Sequence, residues 1–305
     1  CDIFGHNSQL PQILAGFGIR MAFLWRGTNP LGVRHFIWRG ADGTEMLAYR
    51  FGNYAYCDYA GYVRHAFDPD YEFDQAGMRR DLQAFLAQEA SHTEVAPVLL
   101  FDGGDHQGWD REAYAVLRAE MAAPAGPHEI VHSDLDQYIA EAMADSAGIS
   151  VRLTGELREP ARPVIHRDLL WLAGGVTGSR VWLKQANAEC ENLLCHWAEP
   201  LAAFAHAALG REVPQGFLDV AWRWLLQNHP HDSIGGCSVD QVYEDMRYRF
   251  SQARQIAQGQ AGAAARALAA AVEGDLADNE LRVVVFNPLP RPVSEPVELT
   301  LQIPA

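Results

Sequence analysis

From Leu183 to Ala208 apolar residues recur at Leu183, Ala186, Cys190, Leu193, Trp197, Leu201, Phe204 and Ala208, an unbroken succession of three- and four-residue steps. That spacing winds into one face of a long helix, because a strand alternates every second residue. A helix with one apolar face needs partners to cover it. Phe217 to Gln227 supplies a second helical pattern, and Val239 to Val272 a third through Val242, Met246 and Phe250, so this part of the chain is expected to be a three-helix bundle. The Ala-rich run from Ala261 to Ala271 is a good helix former and carries no chemistry.

What precedes the bundle has a different rhythm. Ser8 to Gly16 has helical spacing through Leu10, Ile13 and Leu14, and Met21 to Trp25 reads as a strand. Phe36-Ile37-Trp38 and Glu45 to Tyr49 flank an Asp42-Gly43 pair, the signature of a hairpin turn, and are read as an inserted hairpin. A helix over Asp74 to Glu89, a strand over Val95 to Phe101, a helix over Asp110 to Ala122, a short strand near Glu129-Ile130-Val131 and a helix over Asp134 to Ala144 capped by Ser133 complete the segment. Such alternation predicts a parallel α/β layer with helices outside, and the strands are too few to close a barrel. Arg158 to Gly178, broken by Pro160, Pro163, Gly174 and Gly175, reads as a boundary, and Leu281 to Pro288 with Val297 to Ile303 as the first strands of a β domain. The expected order is therefore a partial α/β barrel over 1–157, a three-helix bundle over 158–276 and the start of a β-sandwich domain over 277–305.

Composition excludes some functions. Of 305 residues, 24 are Lys or Arg and 39 Asp or Glu, a formal charge of -15, which argues against a nucleic-acid partner because phosphate contacts need clustered cations. No apolar run approaches the ~18 residues of a membrane-spanning helix. The five cysteines lack a CxxC spacing and read as reduced thiols of a cytoplasmic protein. The chain opens at Cys1 without an initiator Met and ends inside a strand-like run, which reads as a fragment. Association into a homo-oligomer stays open.

Chemistry concentrates in three places. His229-Pro230-His231-Asp232-Ser233-Ile234-Gly235-Gly236 sets two imidazoles and a carboxylate between helical patterns, either a polar helix connection or a set of zinc donors. Asp2 and His6 open the chain, and Asp102-Gly103-Gly104-Asp105-His106 follows the expected strand at Val95 to Phe101, where α/β enzymes place site residues. Arg26, just past another strand, is placed to fork onto a carboxylate or to form an ordinary surface pair. Cys237, six residues past His231, reads more readily as a small hydrophobe than as a ligand. The aromatic series Tyr54, Tyr56, Tyr59 and Tyr62 either lines a sugar-sized pocket or packs against the scaffold.

These motifs resemble glycoside hydrolase family 38, the class II α-mannosidases. Asp2-Ile3-Phe4-Gly5-His6 resembles the family's nucleophile motif, Gly103-Gly104-Asp105-His106 its acid/base loop, Thr177-Gly178-Ser179-Arg180 with Leu183-Lys184 and Asn187 its bundle entry, and His229 to Gly235 its metal-ligand turn. The resemblance implies a zinc-dependent retaining glycosidase with Asp2 as nucleophile and zinc ligand, His231 as zinc ligand and Asp105 as general acid/base. It implies Arg26 in support of Asp2, with His6, His106, His229 and Asp232 touching substrate or orienting ligands. Retaining glycosidases need two carboxyl groups roughly 5–5.5 Å apart, one to attack and one to shuttle the proton. The implied substrates are mannosides or mannose-containing glycans. The runs Phe23 to Gly27 and Phe36 to Gly40 look more like bacterial members, which include hydrolases of mannosylglycerate.

The family draws two further zinc ligands from a His-x-Asp motif upstream of the nucleophile, and nothing precedes Cys1 here. Weak zinc binding and an inactive isolated chain are therefore expected. Two other readings stand beside this one: a zinc hydrolase of another class, such as a carbohydrate deacetylase, and a non-catalytic helical interaction domain in which the His-Asp turn is structural.

Overall fold

A computed structural model describes residues 2–160, 172–277 and 279–300. The chain divides into two compact units, Cys1–Gly174 and Gly175–Ala305, and the division falls inside the Pro- and Gly-rich stretch that the sequence marks as a boundary.

The N-terminal unit is built on a four-stranded sheet. Its strands are β1 (Met21–Leu24), β2 (His35–Arg39), β3 (Glu45–Arg50) and β4 (Arg152–Thr154), in the order β1-β3-β2-β4. β2 and β3 form the expected antiparallel hairpin, while β1 runs parallel to β3 and β4 parallel to β2. The sheet is therefore mixed rather than parallel, and the hairpin is its centre rather than an appendage. Alternation explains that position: Ala22, Leu24, Phe36, Trp38, Met46 and Ala48 bury one face, and Met21, Leu47 and Tyr49 bury the other. A hairpin that is apolar on both sides cannot sit at a solvated edge.

The helices are α1 (Leu10–Gly16), α2 (Asp58–Tyr62), α3 (Gln75–Ser91), α4 (Arg111–Ala122) and α5 (Leu135–Ala144). Asp74, Asp110 and Asp134 cap α3, α4 and α5, each accepting from first-turn amides. The cap of α5 is thus Asp134 and not Ser133, whose hydroxyl donates instead to the Asp134 carbonyl. Val95 to Phe101 and Glu129 to Val131, expected as strands, join no ladder among the described residues; Ala96 to Phe101 and Glu129 to Val131 line a cavity of ≈820 Å³ instead. No closed barrel forms among the described residues.

The ion pair of Arg34 and Glu89 is buried in this unit. Arg34 donates through Nε and Nη2 to both oxygens of Glu89 at 2.7 Å, with each side chain only 3% exposed. Beside it His35 bonds Thr93 at 2.6 Å and the Tyr138 hydroxyl at 2.7 Å, tying β2 to α5.

The C-terminal unit is the expected bundle. Its first helix runs from Val181 to Leu209 as α6 (Val181–Asn192), a π-helical segment (Leu193–Ala198) and α7 (Glu199–Leu209), followed by α8 (Gln215–Leu226), the short α9 (His231–Gly235) and α10 (Asp240–Ala270). The π segment ends just before Pro200, which has no N–H to give to the preceding turn, so the wider turn falls where regular bonding is already lost. It also shifts the buried face. From there on Leu194, Ala198, Leu201, Ala202 and Ala205 are buried, whereas Phe204 and Trp197, expected on that face, are 69% and 36% exposed. Leu183, Cys190, Leu218, Leu225, Tyr243, Met246 and Phe250 complete the core. Leu281 to Pro288 forms no strand ladder, and the end of the second expected β segment, 301–303, lies outside the described residues.

Candidate functional site

Asp2 is fixed by Arg26, whose Nε and Nη2 both reach Asp2 Oδ1, at 2.8 and 2.7 Å. The guanidinium lies 4.1 Å from the Trp25 ring and 5.3 Å from that of Phe4, so aromatic faces as well as the carboxylate hold it. Both ends of this pair are pinned by one peptide: His6 and Leu157 exchange two backbone hydrogen bonds, and Glu159 N–H donates to Gly27 O. The approach is so close that a Cβ on Gly27, at φ +82, would sit 2.2 Å from Leu157 O, and one on Gly5, at φ +95, 2.7 Å from Arg158 Cγ. Glycine is required at both places. His6 itself is 1% exposed, edge-on to Trp38, with neither ring nitrogen hydrogen-bonded, and burial pulls its pKa down to about 4. Its ring belongs to the core beneath the Asp2 loop.

Asp105 lies on the loop between Phe101 and α4. The Tyr56 hydroxyl donates to both of its oxygens, at 2.9 Å each. The Tyr56 phenol is held well above its ordinary pKa, first by burial, then by this hydrogen bond and the charge of Asp105, and further by the charge of Asp2. One hydroxyl therefore lies in the field of both candidate carboxylates. The rest of the tyrosine series packs against scaffold: Tyr59 is buried, and Tyr54 and Tyr62 meet each other at 5.1 Å. His106 occupies a left-handed turn, φ +62, next to Asp105 and is exposed.

The turn that carries Tyr56 is itself anchored. Asp58 accepts from the Gly52 and Tyr54 amides at 2.8 and 2.7 Å, and burial pushes its carboxyl up to about 7 against the opposing pull of Arg34 and those amides.

In the C-terminal unit the His-Asp turn opens α9. Pro230, in an extended conformation, sets the N-terminus of α9, and His231 Nε2 lies 3.5 Å from Asp232 Oδ1. His229 Nε2 bonds Asn187 Oδ1 at 2.7 Å, and burial lowers the His229 pKa while Glu191 opposes. Gly236, at φ +90, closes the turn against Ser179, and the Lys184 ammonium donates to the Ser179 and Gly235 carbonyls. Cys237 Sγ lies 3.3 Å from Asp232 Oδ1.

The expected site residues thus assemble in two groups, Asp2, Arg26 and Asp105 in the first unit and His229, His231 and Asp232 in the second. Asp2 and His231 carry zinc-type donors, but among the described residues no three His, Cys, Asp or Glu side chains gather as a metal-binding cluster. The described residues do not by themselves make a zinc cage. Sequence reasoning passed over Tyr56 as one tyrosine of four, and gave no role to Asp58, Arg64 or the Leu157 peptide, none of which sits in a motif.

Residues 1–160 match the glycosyl hydrolases family 38 N-terminal domain, and residues 173–268 the alpha mannosidase middle domain. A putative mannosylglycerate hydrolase of Halalkalibacterium halodurans is 28% identical over 269 residues, 82% of this chain and 27% of its own. Human alpha-mannosidase 2C1 is 26% identical over 282 residues, 90% of this chain and 24% of its own. Among solved structures, an alpha-mannosidase from Enterococcus faecalis V583 superposes with a TM-score of 0.72 at 29% identity, covering 89% of this chain and 29% of that one. The chain spans about a quarter of the length of these curated relatives.

Proposed function

The chain belongs to glycosyl hydrolase family 38, and from that premise we propose that its protein is a retaining α-mannosidase in which Asp2 is the nucleophile and Asp105 the general acid/base. The observation that carries this reading is the convergence on Tyr56, whose hydroxyl bonds both Asp105 oxygens and feels the charge of Asp2. Double displacement needs two carboxyl groups about one anomeric carbon, one to attack and one to shuttle the proton.

In the first step an Asp2 oxygen attacks the anomeric carbon while protonated Asp105 gives its proton to the departing glycosidic oxygen. Arg26 fixes Asp2 Oδ1 through two N–H donors, which sets the direction of attack. Tyr56 gives the carboxylate left on Asp105 a hydrogen-bond partner. In the second step Asp105 takes a proton from water, and the hydroxide oxygen displaces Asp2 from the sugar, so the configuration is retained. The same reading keeps Asp2 and His231, one in each unit, as residues that would hold the family's zinc, which would supply Lewis-acid help to the sugar when bound.

In the full-length protein, Asp2→Asn is expected to end turnover of an aryl α-mannoside, and Asp105→Ala to slow substrates with poor leaving groups by about 10²–10⁴-fold. Full turnover by Asp105→Ala on such substrates would sink the acid/base role. His231→Ala should lower zinc content.

A second substrate class has a specific observation behind it: the relative from Halalkalibacterium halodurans, at 28% identity, carries the name of a mannosylglycerate hydrolase. Parallel assays with mannosylglycerate and aryl α-mannosides separate the two.

A further inference from the structure

Arg64 follows α2, and its side chain is 6% exposed. Its two terminal nitrogens go to different partners: Nη2 lies 3.0 Å from Asp102 Oδ1 and Nη1 lies 3.6 Å from Asp110 Oδ2. Asp102 and Asp110 are the two ends of the loop that carries Asp105. Asp110 uses its other oxygen to cap α4, accepting from Ala113 N–H at 2.9 Å. One guanidinium therefore closes the loop on itself and ties it to the first turn of a helix.

The same stretch of chain holds the loop at two further points. Gly103 N–H donates to Tyr56 O at 2.9 Å, so closely that a Cβ on Gly103 would lie 2.7 Å from that oxygen, and the Tyr56 hydroxyl takes Asp105. Tyr59, buried between these tethers, lies in the fields of Asp102, Arg64 and Asp110. Burial raises the Asp102 pKa, Arg64 pulls it back through its charge and hydrogen bond, and the Asp110 charge adds to the rise, so without the guanidinium the two carboxylates are left as like charges in a partly buried place.

We propose that Arg64 is a positioning residue for the acid/base carboxyl: by bridging Asp102 and Asp110 it fixes the span of the 102–110 loop, and so the place of Asp105 against Tyr56. The proposal rests on the reading of Asp105 as general acid/base. Arg suits the task better than Lys, because its planar fork holds two donor nitrogens a fixed distance apart, one for each carboxylate, whereas the three donors of an ammonium share one nitrogen.

The test uses the full-length protein and two aryl α-mannosides, one whose leaving group needs a proton (4-methylumbelliferyl) and one whose leaving group does not (2,4-dinitrophenyl). Arg64→Met is expected to lower kcat/KM on the first by about 10–100-fold, the range that a misplaced catalytic group costs, and on the second by no more than about 3-fold. Arg64→Lys should recover only part of the loss. Should Arg64→Met fail to fold, Asp102→Asn and Asp110→Asn each cut one tether with Arg64 in place, asparagine still able to cap α4, and each should show the same leaving-group selectivity in smaller measure. Equal losses on both substrates, or none, in the variants that fold would overturn the proposal.

Asp105→Ala is measured alongside. If it shows the selectivity and the Arg64, Asp102 and Asp110 variants do not, the clamp is wrong and the acid/base reading stands. If Asp105→Ala shows none, the acid/base reading fails, and hydrogen exchange decides the clamp: faster exchange of 102–110 in Arg64→Met supports it, and unchanged exchange refutes it.

Discussion

The two groups of candidate site residues, one in each unit, are held by opposite means. In the N-terminal unit every chemically important side chain is positioned from far along the chain: Asp2 by Arg26, Asp105 by Tyr56, and the loop ends by Arg64. In the C-terminal unit His231 and Asp232 sit on a turn made largely of its own neighbours, with Pro230 before, Gly236 after and the α6 residues Lys184 and Asn187 bracing it. A site assembled at long range depends on the whole fold, whereas a site on a local turn depends on a few backbone angles. Substitutions should therefore be costly in the first unit and mild in the second.

The largest effect should come from Arg34→Met. It leaves Glu89 charged and buried, and urea unfolding should report a loss of about 3–5 kcal/mol. A loss under about 1 kcal/mol would mean that water reaches the pair. Next is Gly27→Ala, whose Cβ would strike the Leu157 carbonyl at a positive φ; about 3 kcal/mol is expected, with Asp2 function failing in step because the same peptide seats the Asp2 loop.

Acid sharpens the contrast. Burial holds His6 and His35 neutral in the folded N-terminal unit, with pKa values lowered from 6.5 to about 4. The unfolded chain protonates them first, so the stability they contribute is complete above pH 6.5 and is lost as pH falls toward 4. Asp58, raised from 3.8 to about 7, works in the other sense, its contribution being lost as pH rises through that window. With two imidazoles against one carboxyl, the unit should lose about 2 kcal/mol between pH 6.5 and 4. His6→Phe should flatten that slope and Asp58→Asn should steepen it, as urea titrations across the range would show. The smallest effect belongs to Gly236→Ala, which meets a movable Ser179 side chain rather than a carbonyl; about 1 kcal/mol is expected, and a loss as large as that of Gly27→Ala would erase the distinction between the two regions.

This contrast also decides how much could be read in advance. The bundle was legible because helical periodicity is local, and so were the His-Asp turn and the Asp42-Gly43 hairpin. Asp2 and Asp105 were reached through motif resemblance. Arg64 was not, because a lone arginine after a five-residue helix looks like any solvated cation until the fold brings Asp102 and Asp110 to it. Tyr56 stood in a row of tyrosines, and only the loop that docks on its carbonyl tells it from Tyr54 or Tyr62. The mixed sheet escaped for a related reason: apolar runs such as Val95 to Phe101 announce burial but not a ladder partner, and β4 is three residues long.

The π segment before Pro200 has a consequence for how this bundle can change length. A π turn holds one residue more than an α turn, so deleting one between 193 and 198 can close the segment into regular α-helix and leave Leu201 and Ala205 against Ala264. A deletion within α6 or α7 has no wider turn to absorb it and rotates the face that follows by about 100°. The long helix should therefore tolerate the loss of one residue best where its winding is widest, provided that Leu194 and Ala198 keep their places in the core.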